Sequence, residues 1–268
     1  MDYLENDITV ERGQTRQIVV LDDTEHLQAN EEFCDIVVKE NACLEMYRIQ
    51  NLDNDAKLKT HIHIHQQRDS RVHFVVISFN AGDLRNHIEV DIDGEGADTQ
   101  VYGLYLVDKK QHFENVLKIN HQVPHCTSDT RFKGIIDDEA SAVFHGHVYV
   151  APGAQKTDAQ QNNANIILTP MAKIDTKPFL EIYADDVKCS HGTSTGQLDQ
   201  EAMFYMRQRG ISKANARMLL MYAFAAEIGN QIKIDNLRET IDDMIKRRLR
   251  GELSSCDNCV LHCKNPKR

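Results

Sequence analysis

The side chains of this chain best suited to chemistry are its cysteines and histidines, and three groupings stand out. Cys189 and His191 lie one residue apart in Lys188-Cys189-Ser190-His191-Gly192. Thiolates and imidazoles are soft or borderline metal ligands. On an extended chain, positions i and i+2 point to the same face. Taken alone, the pair also reads as a buried thiol beside a hydrogen-bonded histidine. Cys256, Cys259 and Cys263, with His262 beside the last, have the spacing of a metal ligand set. Three thiolates and an imidazole can hold zinc or part of an iron–sulfur cluster. Adjacent His262 and Cys263 are awkward to use together, so incidental or redox-active thiols are the alternative. His61, His63 and His65 alternate with Ile62 and Ile64. Successive histidines on one strand face are ~6.7 Å apart, too far for three to grip one ion without bending. The spacing predicts a solvated face over an isoleucine core. The alternative is a cupin-like, metal-dependent β-fold enzyme that adds His145 and His147, although no matching cupin glutamate pattern accompanies them.

Other enzyme signatures are missing from the sequence. There is no Gly-x4-Gly-Lys-Ser/Thr loop to cradle a phosphate. Gly94-x-Gly96 precedes a strand pattern and reads as a turn. No ordered Ser/His/Asp set emerges, so the chain is expected not to be an enzyme.

The elements that carry these residues change character once. From Ile8 to Tyr183 the chain reads as short strands between Gly, Asn and Asp turns. Among them are Ile18–Leu21, Phe33–Val38, Lys59–His65, Arg71–Phe79, Val116–Ile119, Ile166–Leu168 and Phe179–Tyr183. Alternation, clearest in His61–His65 and His87–Ile92, marks one buried and one wet face. The strands recur in pairs at roughly 22 to 28 residues, the signature of a solenoid whose coils share one core. A jelly roll or sandwich fits the same pattern. After Gly192 helical signals begin. Asp199 is placed to cap a helix over Gln200–Arg209 that Gly210 stops, and Ser212 to cap Lys213–Ile228. A third helix spans about Asp235–Leu249, acidic early and basic late, as the helix dipole favours. The expected domains are residues 1–192, 193–252 and a Cys-rich tail, 253–268.

Composition narrows the class. The 268 residues are 41% hydrophobic and 27% charged, with a net charge of −10. That balance argues against nucleic acid as a partner. No apolar run approaches the ~18 residues of a membrane span. The N-terminus lacks the charged and apolar regions of a signal peptide. Seven cysteines, four of them scattered singly, suit a reducing cytoplasmic setting better than a disulfide framework.

The whole stretch Thr176–Gly210, TKPFLEIYADDVKCSHGTSTGQLDQEAMFYMRQRG, closely resembles the signature of the SufB/SufD family of iron–sulfur cluster assembly proteins. Its KCSHG core followed by GQLD is similar to the SufD branch. Further family-like segments follow in order: Asn41–Gln50, Asp93–Leu106, Pro124–Ser128 and Phe144–Gln161. The family's N-terminal helical region has no counterpart here, and the tail cysteines depart from its general pattern. The resemblance implies a right-handed parallel β-helix followed by a small α-helical domain. It implies a non-ATPase scaffold or accessory subunit of a SufBCD-type complex, cytoplasmic and without a tightly bound cofactor, though a transient iron–sulfur cluster or iron is expected. His191 is expected to help form the nascent cluster at the interface with a SufB-type subunit, with Cys189 beside it. A SufC-type ATPase is expected to dock on the helical domain, and the chain alone is expected to form a homodimer.

Overall fold

The computed structural model describes residues 6–25, 27 and 29–251. Fourteen strands wind into a parallel β-helix with two strands per coil. One sheet holds β1 (Asp7–Val10), β3 (Glu31–Val38), β5 (Lys57–Gln66), β7 (Asp83–Ile92), β9 (His112–His121), β11 (Ser141–Val150) and β13 (Lys173–Ile182), stacked in that order. The other stacks β2 (Thr15–Asp22), β4 (Cys43–Asn51), β6 (Arg71–Asn80), β8 (Asp98–Val107), β10 (Thr127–Ile136), β12 (Asp158–Ile167) and β14 (Lys188–Gly196). All neighbours pair in parallel, so the solenoid reading stands and the sandwich does not. Coil offsets run from 26 residues, Lys57 beside Asp83, to 32, Ser141 beside Lys173, so the last coils exceed the spacing read from the sequence.

The turns recur as well. Asn41, Asp69, His125 and Lys156 each follow a strand of the first sheet with positive φ, the left-handed geometry that reverses the chain. Between the sheets lies one apolar core, built from positions such as Ile36, Ile64, Phe74, Val90, Val101, Phe113 and Phe144. Polar ladders run through it. Asn86 bonds Gln50, Thr60 and Asn115 on neighbouring coils, and Asn163 bonds Tyr105 and Asn165. Gly134 makes room for this second ladder, since a Cβ there would sit 2.1 Å from the Tyr105 ring.

The second sheet is covered on its outer face too. Tyr47, Ile49, Val75, Ile77, Phe79, Tyr102, Leu104 and Leu106 form a second cluster with Met221, Ala225, Ile228, Ile241, Met244 and Ile245. Those partners come from α2 (Lys213–Gly229), α3 (Asp235–Leu249) and the turns beside them. α1 (Gln200–Gln208) precedes them, capped by Asp199 and ended by Gly210 at φ 84°. Ser212 caps α2 through Asn215 N at 3.2 Å. The helices follow the β-helix in sequence but do not pack only at its C-terminal end. Instead α2 and α3 fold back along the sheet as far as β4. Tyr47 OH accepts from Lys233 N, and His73 of β6 bonds Gln231 O at 2.7 Å. The reason is the apolar outer face of β4, β6 and β8, where each large side chain covered contributes ~1.5–3 kcal/mol. The last strand also runs to Gly196, past the boundary placed at 192.

His121, at the end of β9, is fully buried. Its Nε2 lies 2.9 Å from Ser128 Oγ, and its Nδ1 has no partner among the described residues. Burial pushes its pKa from 6.5 down to about 4. The unfolded chain therefore takes up a proton that the folded chain refuses between those values. The stability tied to neutral His121 is complete above pH 6.5 and is lost as pH falls toward 4. Chemical denaturation across that window is expected to show a loss on the order of 3 kcal/mol. His121→Gln should flatten that part of the profile; an unaltered profile refutes the assignment.

Candidate functional site

The final described coil places the Cys-Ser-His segment at a sheet edge with no further strand beside it among the described residues. β14 bonds β12 on one side only, and β13 bonds β11 on one side only, so both leave a free edge. The register sets Cys189 beside Ala159, His191 beside Gln161 and Thr193 beside Asn163. Those three β12 residues are buried between the sheets. Cys189, His191 and Thr193 thus continue the inward-facing rows onto the last rung of the described residues.

The two candidate ligands differ in environment. Cys189 is half-buried and packs against the core. Burial pushes its thiol pKa up, and a backbone hydrogen bond from Ala159 only partly offsets this. His191 is exposed. Beneath it, Gln161 Nε2 donates to Gly146 O at 3.2 Å, while Gln161 Oε1 is buried without a partner among the described residues. Thr193 lies 3.2 Å from Thr176, oxygen to oxygen, and Thr176 donates to Asn163 Oδ1 at 2.9 Å. Among the described residues neither Cys189 nor His191 belongs to a group of three metal-ligating side chains within reach of one ion. Structural metal sites close with about four ligands. Cys189 and His191 alone supply fewer ligands than such a site needs.

Exposed apolar side chains also occur on the last coil, Phe179 on the outer face of β13 beside His147, and Tyr183 just past its end beside Tyr149. Phe179, Ile182 and Tyr183 of the last coil and Met171 before it are exposed. Pro178 interrupts the donors of the β13 edge, a common device on edge strands. A separate exposed pair, Phe204 and Tyr205, lies on α1, with the Arg209 guanidinium 4.5 Å from the Tyr205 ring centroid.

The remaining sequence candidates fall elsewhere. Cys256, Cys259 and Cys263 lie outside the described residues. The cupin-like reading is not supported, because its two histidine groups stand on the outward faces of β5 and β11, three strands apart. His61, His63 and His65 stand on the outer face of β5, opposite the buried Ile62 and Ile64. His145 and His147 stand on the outer face of β11, three strands and ~14 Å away. Carboxylates from adjacent coils meet these rows: Glu31 at His61, Asp91 at His63 and Glu181 at His147, at 2.8–3.1 Å. Asp91 was missed because its partner lies one coil away. Burial opposes its charge, but hydrogen bonds from Asn120 and His63 outweigh burial and hold its pKa below the ordinary carboxylate value.

Among the described residues no helix is long and apolar enough to cross a membrane. Comparison with known proteins places residues 3–224 in the family described as SUF system FeS cluster assembly, SufBD core domain. The chain is 38% identical over 168 residues to the iron–sulfur cluster assembly protein SufD of Escherichia coli, covering 63% of this chain and 40% of that protein. It is 34% identical over 227 residues to an iron–sulfur cluster assembly SufBD family protein of Synechocystis, covering 84% of this chain and 47% of the relative. To SufD of Bacillus subtilis it is 28% identical over 186 residues, 68% of this chain and 42% of the relative. The chain spans less than half the length of these relatives.

Proposed function

We propose a function that proceeds from family membership: this chain belongs to the SUF-system SufBD core-domain family, and it serves iron–sulfur cluster assembly as a SufD-like, non-ATPase subunit of a SufBCD-type complex. The observation that carries this reading is the final rung. Cys189 and His191 stand together on the last described coil with a free sheet edge, two ligands of a set that needs more, and that coil also carries exposed apolar side chains. A SufB-type subunit covers that edge and supplies the remaining ligands. Iron and sulfide are then substrates that meet at the seam between two subunits. The imidazole of His191 donates a nitrogen lone pair to iron, and the Thr176–Thr193 pair steadies the rung beside it. Cys189 adds a thiolate once iron displaces its proton. No phosphate-binding loop is present in the sequence, so nucleotide energy comes from a SufC-type ATPase in the same cytoplasmic assembly.

That ATPase docks on the helical domain, and the exposed aromatic pair of α1 is the anchor, since aromatic side chains dominate interface energetics. Removing the helices is a poor test, because it would bare the apolar face of β4, β6 and β8. Phe204→Asp with Tyr205→Ser is preferable. By calorimetry the double variant is expected to bind the ATPase at least ~10-fold more weakly, and by light scattering to keep the dimeric mass expected of the chain alone through its free β-helix edge. Unchanged ATPase affinity would place the docking surface elsewhere. A monodisperse monomer at high concentration would remove the edge from the proposal.

A further inference from the structure

Three to four rungs below the final coil, the outer face of the first sheet brings together a different set of ligands. His63 and His65 are two residues apart on β5, and Asp91 is the register partner of His65 on β7. The imidazoles lean together, with ring centroids 4.1 Å apart. His63 Nε2 lies 2.8 Å from Asp91 Oδ2, and His65 Nδ1 lies 3.7 Å from the same oxygen. One ligand atom from each residue falls within 4.8 Å of the others, the one such trio of metal-ligating side chains among the described residues. Ligand atoms around an ion with ~2.1 Å bonds lie ~3 Å apart, so small rotamer changes suffice.

The surroundings resemble the support of a metal site more than a chance meeting of surface charges. Asn120 donates to Asp91 Oδ1 at 2.6 Å, leaving Oδ2 toward the histidines. Asp35 Oδ1 lies 3.6 Å from His63 Nδ1, on the far side of that ring from Asp91. A bound ion would replace the proton through which His63 Nε2 now bonds Asp91, and Asp35 stands where it can accept the Nδ1 proton of that tautomer. Asp93 flanks His65 at 3.7 Å. His61, on the same strand face, instead stacks on Phe33 at 4.5 Å and bonds Glu31, so the strand alone does not dictate the convergence.

We infer that His63, His65 and Asp91 form a surface site for one borderline divalent transition-metal ion of the Zn2+ or Fe2+ class. Two imidazoles and one carboxylate suit neither the hard Ca2+ and Mg2+, which take oxygen ligands, nor soft Cu+, which takes thiolates. Three ligands on an open face leave the other positions to water, so the ion exchanges readily. The site is independent of the assembly role given to His191.

Co2+ titration of the full chain carrying Cys256→Ser, Cys259→Ser and Cys263→Ser tests it. The expected result is one ion per chain with weak visible bands and no thiolate charge transfer. Zn2+ should displace it. His63→Ala, His65→Ala and Asp91→Asn should each weaken binding at least ~10-fold, with melting curves close to the parent. His61→Ala and His191→Ala should bind as the parent does. Absence of saturable binding would overturn the site. So would equal binding by the His63→Ala/His65→Ala double variant, or an equal loss on His61→Ala. Loss of binding on His191→Ala alone would assign the ion to the final rung instead.

Discussion

His191→Ala is expected to abolish cluster assembly on the full complex while the chain folds and joins its partners almost normally. The two readouts separate because of where the residue sits. His191 is exposed on the last described rung of the solenoid, with no coil above it among the described residues to lose contacts. An exposed substitution of this kind costs about 1 kcal/mol of stability or less. Removing a borderline ligand from a set that is already incomplete deletes a specific bond to iron. The measurement is reconstitution with iron and sulfide, read by visible absorbance, beside thermal melts of the same samples. Cys189→Ser is the companion variant. It is half-buried against the core, and burial holds its proton on. Its loss should reduce cluster yield less than the loss of His191. Normal cluster yield from the His191 variant, or a lowered melting temperature with normal yield, would refute the ligand role.

Elements of the β-helix were legible wherever apolar and polar residues alternate. His61–His65 and His87–Ile92 show this: each inward residue is aliphatic, and the strands lie where the pattern put them. Legibility failed where the interior is polar. β12 showed itself in the sequence only as Ile166–Leu168, but it begins at Asp158, because its inward residues include Gln161, Asn163 and Asn165. These form hydrogen bonds to Gly146, Phe132, Tyr105 and one another, with only Gln161 Oε1 of the three left unpaired among the described residues, a device that hydrophobic periodicity cannot reveal. β9 was shortened to Val116–Ile119 for the same reason, with Asn115 and His121 inside. The helical cover had a signal that went unused: Val72-His73-Phe74-Val75-Val76-Ile77-Ser78-Phe79 is buried on both faces, and continuous burial of a strand demands a layer on each side.

The same contrast holds for the sites. Cys189 and His191 could be named as candidates because their spacing and the segment around them are local. The trio of His63, His65 and Asp91 was not, because Asp91 reaches His65 only through an offset of 26 residues between coils. A period of roughly 22 to 28 residues leaves the side chain opposite His65 undetermined, and a one-residue error in register turns Asp91 into the core.

The layer over the second sheet leads to the other large expected effect. Arg248, near the end of α3, is almost fully buried. Its Nε donates to Phe79 O of β6 at 2.9 Å, and its two terminal nitrogens donate to the Asp108 carboxylate at 2.5 and 2.7 Å. One guanidinium therefore ties the last helix to the ends of β6 and β8. Substituting one partner strands the other's charge and also the Phe79 carbonyl. Breaking a fully buried pair costs about 3–5 kcal/mol. The Asp108 side chain keeps 25% of its exposure, which favours the lower end, about 3 kcal/mol. For a chain of this size that corresponds to a fall in Tm of roughly 5–10 °C. Arg248→Met should show it. Arg248→Lys should recover less than half, because an ammonium cannot make the paired bonds of the guanidinium. Adding Asp108→Asn to Arg248→Met should restore part of the loss, since it removes the stranded charge. A Tm of Arg248→Met within a degree or so of the parent, or strictly additive losses in the double variant, would show that the helical layer is held by its apolar face alone.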